Sequence, residues 1–172
     1  MEKTLSSRLI HEGRNFRFLQ DEVELPSGLR THRDIVRHPG AVAIVPVLPD
    51  WRIVLVRQYR YAIGKPLLEI PAGTLEDGED PLECARRELR EETGYEASEL
   101  KAMLSCYMAP GYSDEIIHFY VARGLTKVGM SPEEDESIEV EVSELGEIVR
   151  MIEENVIEDA KTIIGIRYLK EE

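Results

Sequence analysis

Apolar and polar positions alternate in short runs over the first ~40 residues, the period-two pattern of strands broken by turns. Pro26-Ser27-Gly28 predicts a turn between two such runs, and His38-Pro39-Gly40 punctuates the end of the region. Ala41–Val47 is apolar at nearly every position, which predicts a buried strand. Arg52–Tyr59 predicts a second strand after a turn at Pro49-Asp50, and Leu67–Ile70 a third, shorter one. The period then changes. Asp80 suits a helix N-cap, Pro81 the first helical position, and Gly94 the residue just past the end. Between them Leu82, Ala85 and Leu89 share one face at helical spacing, so that face is predicted to be core. Leu100–Met108, Ile116–Ala122 and Ile138–Val142 read as strands, with an acidic loop over Met130–Ser137. Two helices close the chain, near Ser143–Asn155 and Asp159–Lys170.

Strands mixed with one central helix and a helical tail predict an α+β domain layered as an α/β/α sandwich. A boundary at the His38–Gly40 punctuation separates residues 1–40, a β-strand region, from a domain over 41–172.

Composition narrows the function classes. The chain has 172 residues, and 42% are hydrophobic, enough for a true core in one ordinary domain. Twenty-one basic against 34 acidic residues leave a net charge of −13. That argues against non-specific nucleic-acid binding and against a basic membrane-surface helix. A polyanionic substrate would need a divalent cation to offset the repulsion. Cys84 and Cys106 make neither a disulfide framework nor a CxxC zinc pair. They are expected to be buried small hydrophobes, and the scattered His11, His32, His38 and His118 offer no nucleophile a base. No stretch reaches ~18 uncharged apolar residues, and Met1–Arg17 carries charges throughout. A cytoplasmic protein with no membrane or nucleic-acid partner is the expectation.

The chemistry lies in Gly73–Tyr95, GTLEDGEDPLECARRELREETGY. Glu88 and Glu92 are four apart on the predicted helix and share a face, with Glu91 beside them. Like charges at that spacing destabilise a helix unless something sits between them. Arg87, four before Glu91, relieves part of the repulsion, and a hard oxygen-seeking ion such as Mg²⁺ or Mn²⁺ would relieve more. A solvated charged face is the simpler alternative. It leaves unexplained the glycine-containing loop before the helix and the stop at Gly94.

The spacing G-x5-E-x7-R-E-U-x-E-E-x-G-U, with U a bulky apolar residue, resembles the signature of the Nudix hydrolases. Gly73, Glu79, Arg87, Glu88, Leu89, Glu91, Glu92, Gly94 and Tyr95 fill it, the aromatic Tyr95 standing where an aliphatic is usual. The resemblance implies the Nudix fold, a mixed sheet between helices with the signature as loop–helix–loop. It also implies hydrolysis of a nucleoside diphosphate linked to another group. By position, Glu88, Glu92 and the carbonyl of Ala72 resemble metal ligands for two or three Mg²⁺ ions. Glu91 resembles a further acid near them, Arg87 the arginine that braces the glutamates, and Glu79 a supporting loop residue.

Outside the signature, Pro110 stands fifteen residues after Tyr95, followed by Gly111 and Glu115. With Arg57-Gln58-Tyr59-Arg60, Leu68–Gly73 and Asp159-Ala160-Lys161-Thr162, they resemble the ADP-ribose pyrophosphatase subfamily. That resemblance implies Arg60 as a diphosphate contact, Arg33 as an arginine reaching substrate from the other subunit, and Glu115 as a substrate-side acid. It implies Glu134 as general base and Glu136 as a metal-side acid, both in the acidic loop. It also implies a homodimer in which N-terminal strands are exchanged, although simple edge strands of a monomer fit the same pattern. Adenine would stack on one of Trp51, Phe16, Phe18, Tyr59, Tyr61 or Tyr112. The alternatives are another nucleoside diphosphate sugar such as ADP-glucose or GDP-mannose, a nucleotide-sensing domain of the same fold, or a cleaner of damaged triphosphates.

Asn occurs only at Asn15 and Asn155 and Gln only at Gln20 and Gln58, while Glu is abundant. Few thermolabile amides among many charges is a thermophile-like pattern. It predicts a thermal midpoint above ~70 °C, and a melt within the mesophile range of about 45–65 °C contradicts it.

Overall fold

The structure, a computed structural model, describes residues 1–130 and 137–171. The chain divides into two compact units, one of residues 1–41 and 105–117, the other of 42–104 and 118–172.

The first unit is built on an antiparallel sheet of β1 (Lys3–Glu12), β2 (Arg17–Glu24) and β3 (Arg30–Arg37), in that order. The turn at Pro26–Gly28 closes with Gly28 N–H donating to the Leu25 carbonyl at 2.8 Å. Register places Leu19 opposite Leu9 and Ile35, and Asp21 opposite Ser7 and Arg33. β1 is exposed along nearly its whole length, whereas Asp21 and Val23 of β2 are buried. Asp21 Oδ1 is buried with no hydrogen-bond partner among the described residues. The segment 105–117 joins this unit through Asp114, which accepts from Arg37 Nη1 at 3.0 Å and from His38 N–H at 2.9 Å. Burial pushes the Asp114 carboxyl up, but these two donors outweigh it and the net shift is downward.

The second unit carries β4 (Ala41–Pro46), β5 (Arg52–Arg60), β6 (Lys65–Glu69), β7 (Ala72–Thr74), α1 (Pro81–Thr93), β8 (Tyr95–Tyr107), β9 (Ile116–Lys127), β10 (Ile138–Glu144), α2 (Leu145–Glu153) and α3 (Ala160–Glu171). By their far ends β4, β8 and β9 run into the first unit. Two sheets form, ordered β10-β5-β6 and β7-β4-β9-β8. Every residue of β4 is buried, as its unbroken apolar run predicts. Val42 and Ile44 pack with Tyr120 and Ala122 of β9 against Cys84, Ala85 and Leu89 of α1. The opposite parity, Val45 and Phe119, lies against Gly165 of α3, where an added Cβ would come within 3.0 Å of Val45 and Ile70. Helices therefore cover both faces of β4 and β9, which gives the layered α+β sandwich. No helix among the described residues is long and apolar enough to cross a membrane.

Helix α1 begins and ends where its capping residues predict. Asp80 accepts from Leu82 N–H at 2.9 Å and Glu83 N–H at 3.3 Å, satisfying two of the unpaired first-turn donors. Gly94 turns left-handed at φ 71° and donates to the Arg90 carbonyl. β8 starts five residues earlier than the alternation predicts. Gly94 reverses the chain there and Tyr95 N–H bonds Thr93 Oγ1 at 3.2 Å, so pairing begins within a polar stretch that shows no alternation. β9 likewise runs five residues past Ala122. The three-residue β7 and a 3-10 turn at Tyr61–Ile63 carry too few positions to show a period.

Candidate active site

α1 carries the acids and β7 meets them. Arg87 sits among three carboxylates. Its Nε and Nη2 reach the two oxygens of Glu79 at 3.0 Å each, a bidentate pair. Its Nη1 reaches Glu88 Oε1 at 2.6 Å and Glu91 Oε2 at 3.1 Å. Glu79 also accepts from Glu76 N–H at 3.0 Å, which folds the loop before the helix back on itself. The Arg87 hydrogen bonds hold the Glu79 carboxyl down at about 2, against an opposing push from burial. The same contact raises the guanidinium, so Arg87 is charged at any accessible pH.

Glu92, one turn beyond Glu88, is 2% exposed, and its Oε2 accepts from the Ala72 main-chain N–H at 2.9 Å. Next to Ala72, Gly73 has no alternative. A Cβ there would stand 1.9 Å from the carboxyl carbon of Glu88. The glycine thus brings the backbone of β7 against the acidic face of α1. Three carboxylates meet one guanidinium and a fourth, Glu92, stands one turn on, so the candidate ligands are all oxygen, which fits a hard divalent cation and not a soft one. Among the described residues no three His, Cys, Asp or Glu side chains are already placed so that they alone could hold a metal ion.

A second cluster abuts the first. Glu69, at the end of β6, is fully buried. Arg60 grips it bidentately at 2.8 and 2.6 Å, and Lys161 of α3 bonds the same carboxylate. Lys161 also pairs with Asp159 at 3.1 Å. Burial pushes the Glu69 carboxyl up, but Arg60 and Lys161 together outweigh it and the net shift is downward. Sequence reasoning gave Glu69, Asp159, Lys161 and Thr162 no individual role. The available signal was an acid inside the apolar run Leu67–Ile70, which must find a cation when buried.

The structure brings Ala72, Arg87, Glu88, Glu91 and Glu92 together, with Glu79, and places Arg60 on the Glu69 cluster. Strand alternation separates Arg57 from Arg60, and Arg57 pairs instead with Glu141 of β10. Arg33, Pro110, Gly111 and Glu115 belong to the first unit. There Arg33 forms a bidentate pair with Glu2 at 3.1 and 2.7 Å. Pro110 and Gly111 form an exposed turn, and Glu115 is half-buried. Glu134 and Glu136 lie outside the described residues. Of the six rings considered for adenine, Phe16, Trp51, Tyr59, Tyr61 and Tyr112 are exposed. Cys84 is buried and its thiol is pushed up by desolvation and by Glu79, while Cys106 is only half-buried, less than its residue type suggested. Neither is an activated nucleophile.

The chain is similar to known proteins in sequence and in fold. Residues 37–164 match the sequence model of the NUDIX domain. The chain is 46% identical over 171 residues to a methanol dehydrogenase activator of Bacillus methanolicus, covering 98% of this chain and 92% of the relative. It is 41% identical, over the same length and with the same coverage, to an ADP-ribose pyrophosphatase of Bacillus subtilis. The crystal structure of an ADP compounds hydrolase superposes with a TM-score of 0.87, covering 99% of this chain and 92% of that one, at 24% identity. That last likeness speaks for the fold alone.

The Glu79–Arg87 pair predicts an acid dependence of stability. The carboxyl is depressed in the folded state from 4.5 to about 2, so its contribution is complete above the ordinary glutamate range and is lost as pH falls through that window. Denaturant melts should therefore show stability falling from about pH 4.5 towards pH 2, and Glu79→Gln should flatten that fall. An unchanged slope in the variant contradicts the pairing.

Proposed function

The chain belongs to the Nudix family, and from that premise we propose that it hydrolyses the diphosphate of ADP-ribose to AMP and ribose 5-phosphate. The observation that carries the reaction is the junction of β7 and α1, where one guanidinium orders Glu79, Glu88 and Glu91 while Glu92 grips the main chain of Ala72. The substrate is taken from the relative named ADP-ribose pyrophosphatase, whose likeness spans 98% of this chain.

Relatives of this kind generally work with a divalent cation. Glu88, Glu92 and the Ala72 carbonyl would hold Mg²⁺, or Mn²⁺ in its place, as two or three ions per site, with Glu136 as a further ligand. Such ions, when bound, neutralise charge on the diphosphate and lower the pKa of a water. The chain's own groups do the rest. Arg87 keeps Glu88 and Glu91 from splaying apart. Arg60 spends Nε and Nη2 on Glu69, so the guanidinium is pre-set, and its 41% exposed side chain offers the remaining edge to a phosphate oxygen. A glutamate of the acidic loop, Glu134 in our assignment, takes a proton from the attacking water. Water adds in line to one phosphorus, the bridging P–O bond breaks, and the leaving phosphate departs on the other product. Pro110, Gly111 and Glu115 keep the substrate-side roles that their positions suggest.

We further assign the chain to a homodimer built through residues 1–40, with Arg33 serving the substrate of the second copy. The nearly bare β1, with Leu9 and Ile10 each more than 40% exposed, and the exposed Phe16 in the turn that follows it, support this, because a long exposed edge strand normally finds a cover. A monomer by sedimentation contradicts it. Two free thiols and a nucleotide substrate suit a reducing, cytoplasmic setting.

The test is a product assay with ADP-ribose, ADP-glucose, GDP-mannose and 8-oxo-dGTP, each with Mg²⁺ and with EDTA. Mg²⁺-dependent release of AMP and ribose 5-phosphate from ADP-ribose is expected, and Glu92→Gln should lower kcat by roughly 10²-fold or more while the fold persists, the scale of one lost transition-state contact. Preference for another substrate overturns the reading of Arg60 and Pro110. The relative named methanol dehydrogenase activator favours a second reading, action on a dehydrogenase. Stimulation of such an enzyme by wild type and Glu92→Gln alike, with no hydrolysis, would establish it instead.

A further inference from the structure

The stretch Ile70–Ala72, where β6 gives way to β7, is pinned from three directions. Ile70 N–H donates to Thr162 Oγ1 of α3 at 2.9 Å. The Pro71 carbonyl accepts from Ile44 N–H of β4 at 2.9 Å. Ala72 N–H donates to Glu92 of α1 at 2.9 Å. Pro71 has a fixed φ, the Pro71–Ala72 peptide plane is held at both its carbonyl and its N–H, and the Glu69–Ile70 plane is held at its N–H. These anchors fix where the chain enters Ala72, and so the position from which the next carbonyl, that of Ala72, projects.

Two of the anchors come from β4 and α1, and the third is Thr162 of α3, which lies outside the Gly73–Tyr95 signature. Thr162 is fully buried. Its hydroxyl donates to Asp159 Oδ2 at 2.6 Å and so has its lone pairs aimed elsewhere, at Ile70. Its own N–H bonds the same Asp159 oxygen at 2.9 Å. Asp159 is in turn fixed by Lys161, which also holds Glu69, the residue just before Ile70. Two acids and two cations close this brace with no net charge, so its position does not depend on a bound ion. An interior hydroxyl whose donor and acceptor sides are both used has one orientation.

We propose that Thr162 is a positioning residue for the Ile70–Ala72 main chain, and through it for the Ala72 carbonyl as a cation ligand. The inference rests on the cation assignment made above. A residue one step behind a metal ligand typically changes metal affinity or activity by about 10–100-fold when removed.

The experiment compares Thr162→Val, which keeps the volume and loses the hydroxyl, with Thr162→Ser, which keeps the hydroxyl. Ile148→Val, a core deletion in α2, controls for lost stability. Mn²⁺ binding is measured by electron paramagnetic resonance without substrate, beside kcat and KM for ADP-ribose and the thermal midpoint. Thr162→Val should weaken Mn²⁺ binding and lower kcat by about tenfold each, with KM changed little. Thr162→Ser should restore both, and Ile148→Val should lower the midpoint with Mn²⁺ binding intact. Should Thr162→Val not fold, Asp159→Asn, which weakens the hold on the hydroxyl, should shift Mn²⁺ binding in the same direction. Wild-type Mn²⁺ binding in the variant that folds, or a serine that restores nothing, overturns the proposal alone. A wild-type protein with no Mn²⁺ site that Glu92→Gln removes overturns the cation assignment and this inference with it.

Discussion

Like charges on one helix face repel, and the guanidinium of Arg87 is what lets Glu79, Glu88 and Glu91 share a small volume. Two carboxylates about 4 Å apart repel by roughly 4 kcal/mol at an effective dielectric of 20. A planar fork with donors on both edges answers that at three places at once, which a point-like ammonium could not do. The pairing is incomplete by design of the residue count. Four acids against one arginine leave a surplus of negative charge beside β7, and that surplus is the feature that calls for a cation.

The fold supplies the geometry. Asp80 and Gly94 set the first and last turns of α1, and so fix which residues face β7. Leu89 and Ala85 lock the helix onto β4 and β9 from one side, and α3 packs the same strands from the other. Gly73 then allows the close approach that no other residue could make. Each of these is an ordinary packing or capping device, and together they hold a strongly unfavourable charge cluster in one arrangement. The neutral brace of Arg60, Glu69, Asp159 and Lys161 behind it does the same for the chain entering β7.

Local signals were the readable ones. α1 could be placed to the residue because its cap, its proline, its glycine and its apolar face all lie within fifteen positions. The acids of the site were legible for the same reason, since helical spacing alone puts Glu88 and Glu92 on one face. β7 was not, being three residues long, and neither was the start of β8 in a polar stretch. The Glu69–Lys161 and Ile70–Thr162 contacts each span 92 positions, and no periodicity connects partners so far apart. Nor does any local pattern indicate that 105–117 joins the N-terminal strands, because that depends on pairs such as Arg37 with Asp114.

The most direct test of the central interaction is the hydrolysis rate of Arg87→Lys, with its thermal midpoint as the check on folding. Lysine keeps the positive charge and loses the fork. If the fork orders the glutamates, kcat should fall by roughly 10²-fold, the cost of a small misplacement at a reacting centre, while the midpoint moves by only a few degrees. A variant that hydrolyses at close to the wild-type rate would show that charge alone suffices, and would contradict the account.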